Sequence, residues 1–243
     1  MRLHELDPGG NLSPLSICNF LQSAASNHAQ ALGISLEKLQ STGHTWVLAW
    51  LKLHMAEYPK GNAPVRIQTW PAGIHRLYAL REFRIYDETD RLVGKAGSAW
   101  LILDMQRRRP VRVEPFGESI HQISSPNDVS ADMGKIQTLT VPSFSRDFRV
   151  RYRDLDVNQH VNNVSYVEWA LESLPAELLT TACLVDLEVN YLGEARLGDT
   201  VLSRAQSLND TRTAFVHDII RRESGDSLIK ATSVWTPKTA KRQ

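Results

Sequence analysis

The sequence predicts an α+β protein made of two similar halves, each a sheet wrapped around a helix. Before position 104, one helical pattern is followed by four strand-like runs. A helix followed by four strand-like runs appears again after position 142. Short segments of the two halves also match at a fixed spacing, which indicates an internal duplication. The 243 residues, 42% of them hydrophobic, suffice for one large domain or two smaller ones with substantial cores.

The first half begins with a predicted helix over residues 15–32. Ser13 is a good N-cap, and Pro14 suits the first helical position. Gly33 supplies a C-terminal stop. Apolar and small residues cover much of the helix circumference, so we expect the helix to be buried. The strand-like runs that follow cover residues 45–57, 65–72, 77–87 and 91–104.

The stretch 115–142 has no sustained periodicity and is typical of a loop. We interpret it as a linker between one domain at 1–114 and a second at 143–243. In the second domain, a strand over 144–153 leads through a polar motif into a helix over 163–173, which Pro175 closes. Four more strand-like runs follow, at residues 184–192, 200–208, 212–222 and 227–236.

The two halves can be aligned at an offset of 135 residues. Lys95-Ala-Gly-Ser-Ala-Trp100 corresponds to Lys230-Ala-Thr-Ser-Val-Trp235, and residues 65–70 correspond to 200–205. Each match is weak by itself. A common offset together with the same order of elements favours duplication, and so long a period indicates two domains rather than a solenoid.

Composition and charge restrict the function. The net charge is +1, which gives no case for a nucleic-acid or membrane-surface partner. The N-terminus lacks the apolar run of a signal peptide, and no apolar stretch is long enough to predict a membrane span. Cys18 and Cys183 show no metal-ligand spacing, and we expect them to be reduced thiols in a cytoplasmic protein.

A dense polar motif lies where the second domain passes from strand to helix. Within ten residues it contains three kinds of polar group, carboxylate, amide and imidazole: Asp154, Asp156, Asn158, His160, Asn162 and Asn163. Such a cluster of polar side chains is not expected in a hydrophobic core. It can direct several polar groups to one point beside a helix N-terminus, where free backbone N–H groups converge. The motif therefore predicts a chemical site.

The run from Asp154 to Tyr166, Asp-Leu-Asp-Val-Asn-Gln-His-Val-Asn-Asn-Val-Ser-Tyr, resembles the signature of plant and bacterial acyl-acyl-carrier-protein thioesterases. Other segments that resemble the family are residues 21–28, Gly33, Tyr58-Pro59, Thr69-Trp70 and residues 98–100. The resemblance extends over about residues 5 to 236. It implies two tandem hotdog domains, each a long helix wrapped by an antiparallel sheet.

The resemblance also implies an activity, the hydrolysis of the thioester between a fatty acyl chain and the phosphopantetheine of acyl carrier protein. The family's Asp, Asn and His fall on Asp156, Asn158 and His160. Its later glutamate falls on Glu194, whereas its adjacent cysteine is replaced by Ala195. The first half lacks this motif, so we interpret it as the non-catalytic copy, whose helix and sheet line an acyl pocket.

Thioester hydrolysis needs an activated water or a carboxylate nucleophile, and donors for the developing oxyanion. We favour Glu194 as the general base, with Asp156 holding Asn158 and His160 in place, although the sequence does not exclude the exchange of the two acids. Asn158 and the backbone N–H groups of 162–164 are candidate donors. Asn162 or Asn163 is expected to cap the helix, with substrate binding secondary. No metal or other cofactor is expected.

Two further hypotheses stay open at this point. The first is an acyl-CoA thioesterase, because CoA presents the same phosphopantetheine arm. The second is an inactive hotdog protein that only binds acyl ligands. The charged run Arg107-Arg-Arg109 is expected to be either a solvated turn or a docking patch for the acidic carrier protein. The sequence fits a monomer or a homodimer, and it does not indicate the acyl chain length.

Overall fold

A computed structural model describes residues 2–61, 63–116, 129 and 133–238. The chain divides into two compact units, Met1–Gly134 and Lys135–Gln243. This division falls inside the segment 115–142 that was predicted to be a linker. Most of that segment, including Ser124-Ser-Pro-Asn-Asp128, lies outside the described residues.

The first unit contains the long helix that the sequence predicts. Helix α1 spans Pro14–Ala31, and the Ser13 hydroxyl accepts a hydrogen bond from the Ser16 N–H at 3.1 Å, as an N-cap does. Gly33, just beyond the helix, has a φ of +73°, a conformation that favours glycine. One face is buried through Ile17, Cys18, Leu21 and Ala25, whereas Asn19, Ser23 and Ser26 are exposed. The helix is therefore buried, as expected, on one face, and its opposite face is exposed.

Four long antiparallel strands pack beside this helix. They are β1 (His44–Met55), β2 (Arg66–His75), β3 (Tyr78–Tyr86) and β4 (Leu92–Asp104), in the order β2-β3-β4-β1. The four predicted strands are confirmed to within a few residues. A short helix α2 (Leu36–Gln40) and a short strand β5 (Arg109–Val111), which pairs with β4, were not predicted.

The second unit repeats the plan. Strand β6 (Phe144–Arg149) precedes helix α3 (Asn163–Glu172), and a short helix α4 (Ala176–Thr181) follows it. Strands β7 (Ala182–Tyr191), β8 (Thr200–Ser207), β9 (Ala214–Arg221) and β10 (Ser227–Pro237) complete a sheet in the order β7-β10-β9-β8-β6. Strands β7, β8, β9 and β10 thus occupy the same relative places in their sheet as β1, β2, β3 and β4 do in theirs. Strand β6 is an additional strand at the edge, next to β8.

One local feature is shared by both units and supports duplication. In β4 the Trp100 indole donates a hydrogen bond to the Ser98 hydroxyl at 2.8 Å, and in β10 Trp235 donates to Ser233 at 2.9 Å. Both serines are buried. A buried indole N–H requires an acceptor. The Ser-x-Trp match in the sequence therefore reflects the same hydrogen bond in equivalent strands.

Val129, Ile136 and Leu139, which lie in the segment 115–142, are buried in the cores of their own units. In the first unit, the Val129 N–H donates to the buried carboxylate of Glu82, at 3.1 and 3.2 Å to its two oxygens. In the second unit, Ile136 and Leu139 pack with Val216. No helix among the described residues is long and apolar enough to cross a membrane.

Candidate active site

The polar motif begins with a short 3-10 helix, Tyr152–Asp154, which is stabilised by the buried carboxylate of Asp154. Asp154 is 1% exposed and accepts hydrogen bonds from the Arg151 N–H at 2.7 Å and from the Arg151 guanidinium at 3.0 and 3.1 Å. The hydrogen bonds that the Arg151 side chain donates to the Asp154 carboxylate raise the pKa of Arg151. Asp154 therefore has a structural role at the entrance to the motif.

Asp156, Asn158 and His160 lie together in the next turn. The Asp156 Oδ1 accepts the backbone N–H of Asn158 at 2.8 Å and that of His160 at 3.3 Å. The Asp156 N–H donates to the His160 carbonyl at 2.8 Å, and Gln159 adopts a left-handed φ of +62° to close the turn. The carboxylate of Asp156 therefore holds the backbone of Asn158 and His160, and its contact with Asn158 is that of an Asx turn.

The structure brings His160 next to Glu194, which is 34 positions later in the sequence. The distance from His160 Nε2 to Glu194 Oε2 is 3.4 Å, and the two side chains are 28% and 37% exposed. Glu194 lies in an irregular segment after β7. The pair is reachable from solvent, and its separation suits direct proton transfer after a small movement. Asn158 lies half-buried in the turn between Asp156 and His160.

Asn162 is the N-cap of α3, as predicted. Its side-chain oxygen accepts the Val164 N–H at 2.9 Å, and its own N–H donates to the Asp154 carbonyl at 2.8 Å. Two of the three backbone donors proposed for an oxyanion are therefore already engaged, which corrects that expectation. The N–H of Asn163, the first residue of α3, stays the candidate donor.

The sequence did not point to two contacts at the site. Tyr166 is a core residue, 2% exposed, and its hydroxyl accepts the Ala195 N–H at 2.7 Å. Arg221, the last residue of β9, donates to the Glu194 carbonyl at 2.7 Å and pairs with the Asp199 carboxylate. Ala195, where the resemblance places a cysteine in the family, is fully buried. No motif in the sequence signals these contacts.

Potential metal ligands do not cluster in the described part of the chain, where no group of three His, Cys, Asp or Glu side chains could hold an ion. The two cysteines are free thiols; Cys18 is buried, and burial raises its pKa to about 12. The groups that form the candidate site are carboxylates, an imidazole and an amide.

Solved structures share this architecture. An acyl-ACP thioesterase from Bacteroides thetaiotaomicron superposes with a TM-score of 0.85 at 24% identity, covering 97% of this chain and 94% of that one. The 12:0-ACP thioesterase from Umbellularia californica gives a TM-score of 0.84 at 21% identity, covering 98% and 95%. The fold is therefore two tandem hotdog domains of the α+β class, as predicted.

Family models match nearly the whole chain. The acyl-ACP thioesterase N-terminal domain matches residues 1–119, and the acyl-ACP thioesterase C-terminal domain matches residues 138–237. The chain belongs to the acyl-ACP thioesterase family. An oleoyl-acyl carrier protein thioesterase of Coriandrum sativum is 32% identical over 231 residues, which are 88% of this chain and 63% of that protein. The chain thus spans somewhat less than two thirds of the length of such relatives.

Proposed function

We propose that this protein hydrolyses the thioester of fatty acyl-acyl carrier protein and releases a free fatty acid. The family membership supports the class of reaction. The observation that carries the proposal is the 3.4 Å approach of His160 Nε2 to Glu194 Oε2, because it places an acid–base pair at a solvent-reachable point of the second unit.

In the proposed reaction, Glu194 removes a proton from a water molecule, and the water oxygen forms a bond to the thioester carbonyl carbon. The tetrahedral oxyanion accepts hydrogen bonds from the Asn163 N–H and from the amide of Asn158. When the C–S bond breaks, the proton returns from the Glu194–His160 pair to the sulfur. The products are a fatty acid and the free phosphopantetheine thiol. This route needs no cysteine at the position of Ala195.

The hydrogen bonds of Asp156 support the assignment of the two acids. Its Oδ1 is occupied by two backbone N–H groups, whereas Glu194 directs an oxygen towards His160. We therefore infer that Asp156 positions Asn158 and His160, and that Glu194 is the base.

The substrate assignments belong to the same proposal. The phosphopantetheine arm of acyl carrier protein presents the thioester, and the first unit, which lacks the motif, lines the acyl chain. The exposed Arg107-Arg-Arg109 run is a candidate contact for the acidic carrier protein. A cytoplasmic location, and assembly as a monomer or homodimer, stay predictions.

The test compares thiol release from acyl-acyl carrier protein and from the matching acyl-CoA by the same preparation. The proposal predicts a higher kcat/KM for the carrier-protein substrate. A higher value for acyl-CoA would instead favour an acyl-CoA thioesterase. Binding of acyl ligands by the folded protein without turnover of either thioester would leave only the inactive acyl-binding hypothesis.

A further inference from the structure

The segment that carries Glu194 has no regular secondary structure, and yet its backbone is closely held. It leaves β7 after Tyr191 and reaches β8 at Thr200. The N–H groups of Leu192 and Gly193 donate to the Leu228 carbonyl, at 2.8 and 3.1 Å. At the next peptide group, between Glu194 and Ala195, side chains from other elements replace the sheet as hydrogen-bond partners. Such partners are needed because Ala195 is fully buried and buried backbone groups require hydrogen bonds.

The peptide group between Glu194 and Ala195 is held at both ends. Arg221 Nη2 donates to its carbonyl oxygen at 2.7 Å, and the Tyr166 hydroxyl accepts its N–H at 2.7 Å. The carbonyl and N–H of a trans peptide point in opposite directions, so the two contacts together fix the orientation of the plane. Burial raises the pKa of the Tyr166 phenol, which keeps it a neutral acceptor.

The next peptide group connects this segment to the polar motif. The Ala195 carbonyl accepts the Val161 N–H at 3.1 Å, and Val161 follows His160 directly. The backbone that bears Glu194 and the backbone that bears His160 are therefore joined one residue away from each side chain. Arg221 is itself oriented by the Asp199 carboxylate.

We infer that Tyr166 and Arg221 are positioning residues that hold the Glu194 carboxylate opposite His160 by fixing the Glu194–Ala195 peptide group. The inference rests on the proposed function only in taking Glu194 as the base. Neither side chain needs to touch the substrate. Loss of either contact releases one end of the peptide plane, and a shift of about 1 Å in a reacting group can lower a rate by about 10²-fold.

Tyr166→Phe is the sharpest variant because it removes one oxygen and keeps the buried ring. Arg221→Lys is its partner, since a lysine keeps the charge near Asp199 but lacks the planar guanidinium with its several fixed donors. The matched control is Arg204→Lys. Arg204 makes a similar pair with Asp218, at 2.6 and 2.8 Å, on the same sheet and without a contact to Glu194.

The first measurement separates kcat from KM for the acyl carrier protein substrate. We expect Tyr166→Phe and Arg221→Lys each to lower kcat by about 10- to 100-fold, with KM changed less than about threefold, because the base is misplaced and binding is not. Arg204→Lys should lower the melting temperature and leave kcat within about twofold. Unchanged kcat in both folded variants, or an equal loss of kcat in the control, would overturn the inference.

A second measurement does not depend on activity. The imidazole nitrogens of His160, assigned with a His160→Gln variant, are followed in ¹H–¹⁵N spectra. We expect Tyr166→Phe and Arg221→Lys to move these signals towards their positions in Glu194→Gln, and Arg204→Lys to leave them in place. If the wild-type protein shows no turnover, the proposed function fails, but the spectra still test the positioning. Unmoved His160 signals in both variants would reject it.

Discussion

At the residue scale, three neighbouring carboxylates serve different purposes because their hydrogen-bond partners differ. Asp154 is buried, accepts hydrogen bonds from the Arg151 side chain and stabilises the short 3-10 helix at the start of the motif. Asp156 accepts two backbone N–H groups. Glu194 is the carboxylate that faces the imidazole of His160. In a sequence these acids look alike, and their partners distinguish them.

The contacts that could be predicted from the sequence are local ones. The pairing of Asp154 with Arg151 and the capping by Asn162 span two or three residues, so residue type and spacing suffice. The contacts of Tyr166 with Ala195 and of Arg221 with Glu194 span 29 and 27 residues. They depend on the packing of α3 and β9 against an irregular segment, for which a single sequence offers no pattern.

A buried histidine makes the stability of the second unit depend on pH. His217 is fully buried, and burial lowers its pKa to about 4 from an ordinary 6.5; its Nε2 lies 2.8 Å from the Ser233 hydroxyl. The unfolded chain takes up a proton at this residue below pH 6.5, whereas the folded chain resists protonation until about pH 4. The contribution is thus present above pH 6.5 and is lost as the pH falls towards 4.

We expect the change of His217→Phe to remove this dependence, since Phe83 occupies the equivalent strand position in the first unit, opposite Ala96 as His217 is opposite Ala231. Urea unfolding at pH 7 and pH 4.5 measures the effect. The wild type should lose on the order of 2–3 kcal/mol more than the variant over this range. An equal loss in both proteins would show that His217 does not cause it.

At the element scale, α3 depends on its N-cap for both stability and site geometry. Asn162 supplies the capping oxygen, and its neighbour Asn163 supplies the candidate oxyanion donor. Asn162→Ala should lower the free energy of unfolding by about 1 kcal/mol and also reduce kcat, because the first turn frays.

Asn162→Ser is the control, since a serine caps a helix about as well as an asparagine. Denaturant unfolding and kcat, measured on both variants, should show that serine restores both quantities. If serine restored stability and left kcat as low as in the alanine variant, Asn162 would contact the substrate itself.

The long strands and helices were predictable because each carries a full period of buried and exposed residues. The short elements were missed because they are too short to show such a repeating pattern. Helices α2 and α4 have 5 and 6 residues, fewer than two turns, and neither can display a helical period. Strand β5 has 3 residues, with Pro110 at its centre, and so resembles a turn.

At the scale of the whole molecule, the two units share a strand order and a Ser-x-Trp hydrogen bond, but they differ in chemistry. Opposite Ser98 the first unit has Arg81, whereas opposite Ser233 the second has Phe215. The polar motif and its glutamate occur in the second unit alone. The duplication was predictable from the spacing of matched segments, and the assembly of one site from the motif and a distant loop was predictable only through the family resemblance.

The central claim is that Glu194 and His160 together hydrolyse an acyl thioester, and the most direct test is the kcat of Glu194→Gln with acyl-acyl carrier protein. Replacement of a carboxylate by an amide of the same shape removes the base and leaves the fold in place. The control is Glu168→Gln, which changes another half-buried glutamate of the same unit. We predict a fall of about 10²- to 10⁴-fold for Glu194→Gln, a change within about twofold for the control, and similar melting temperatures. A kcat near that of the wild type in folded Glu194→Gln would contradict the claim.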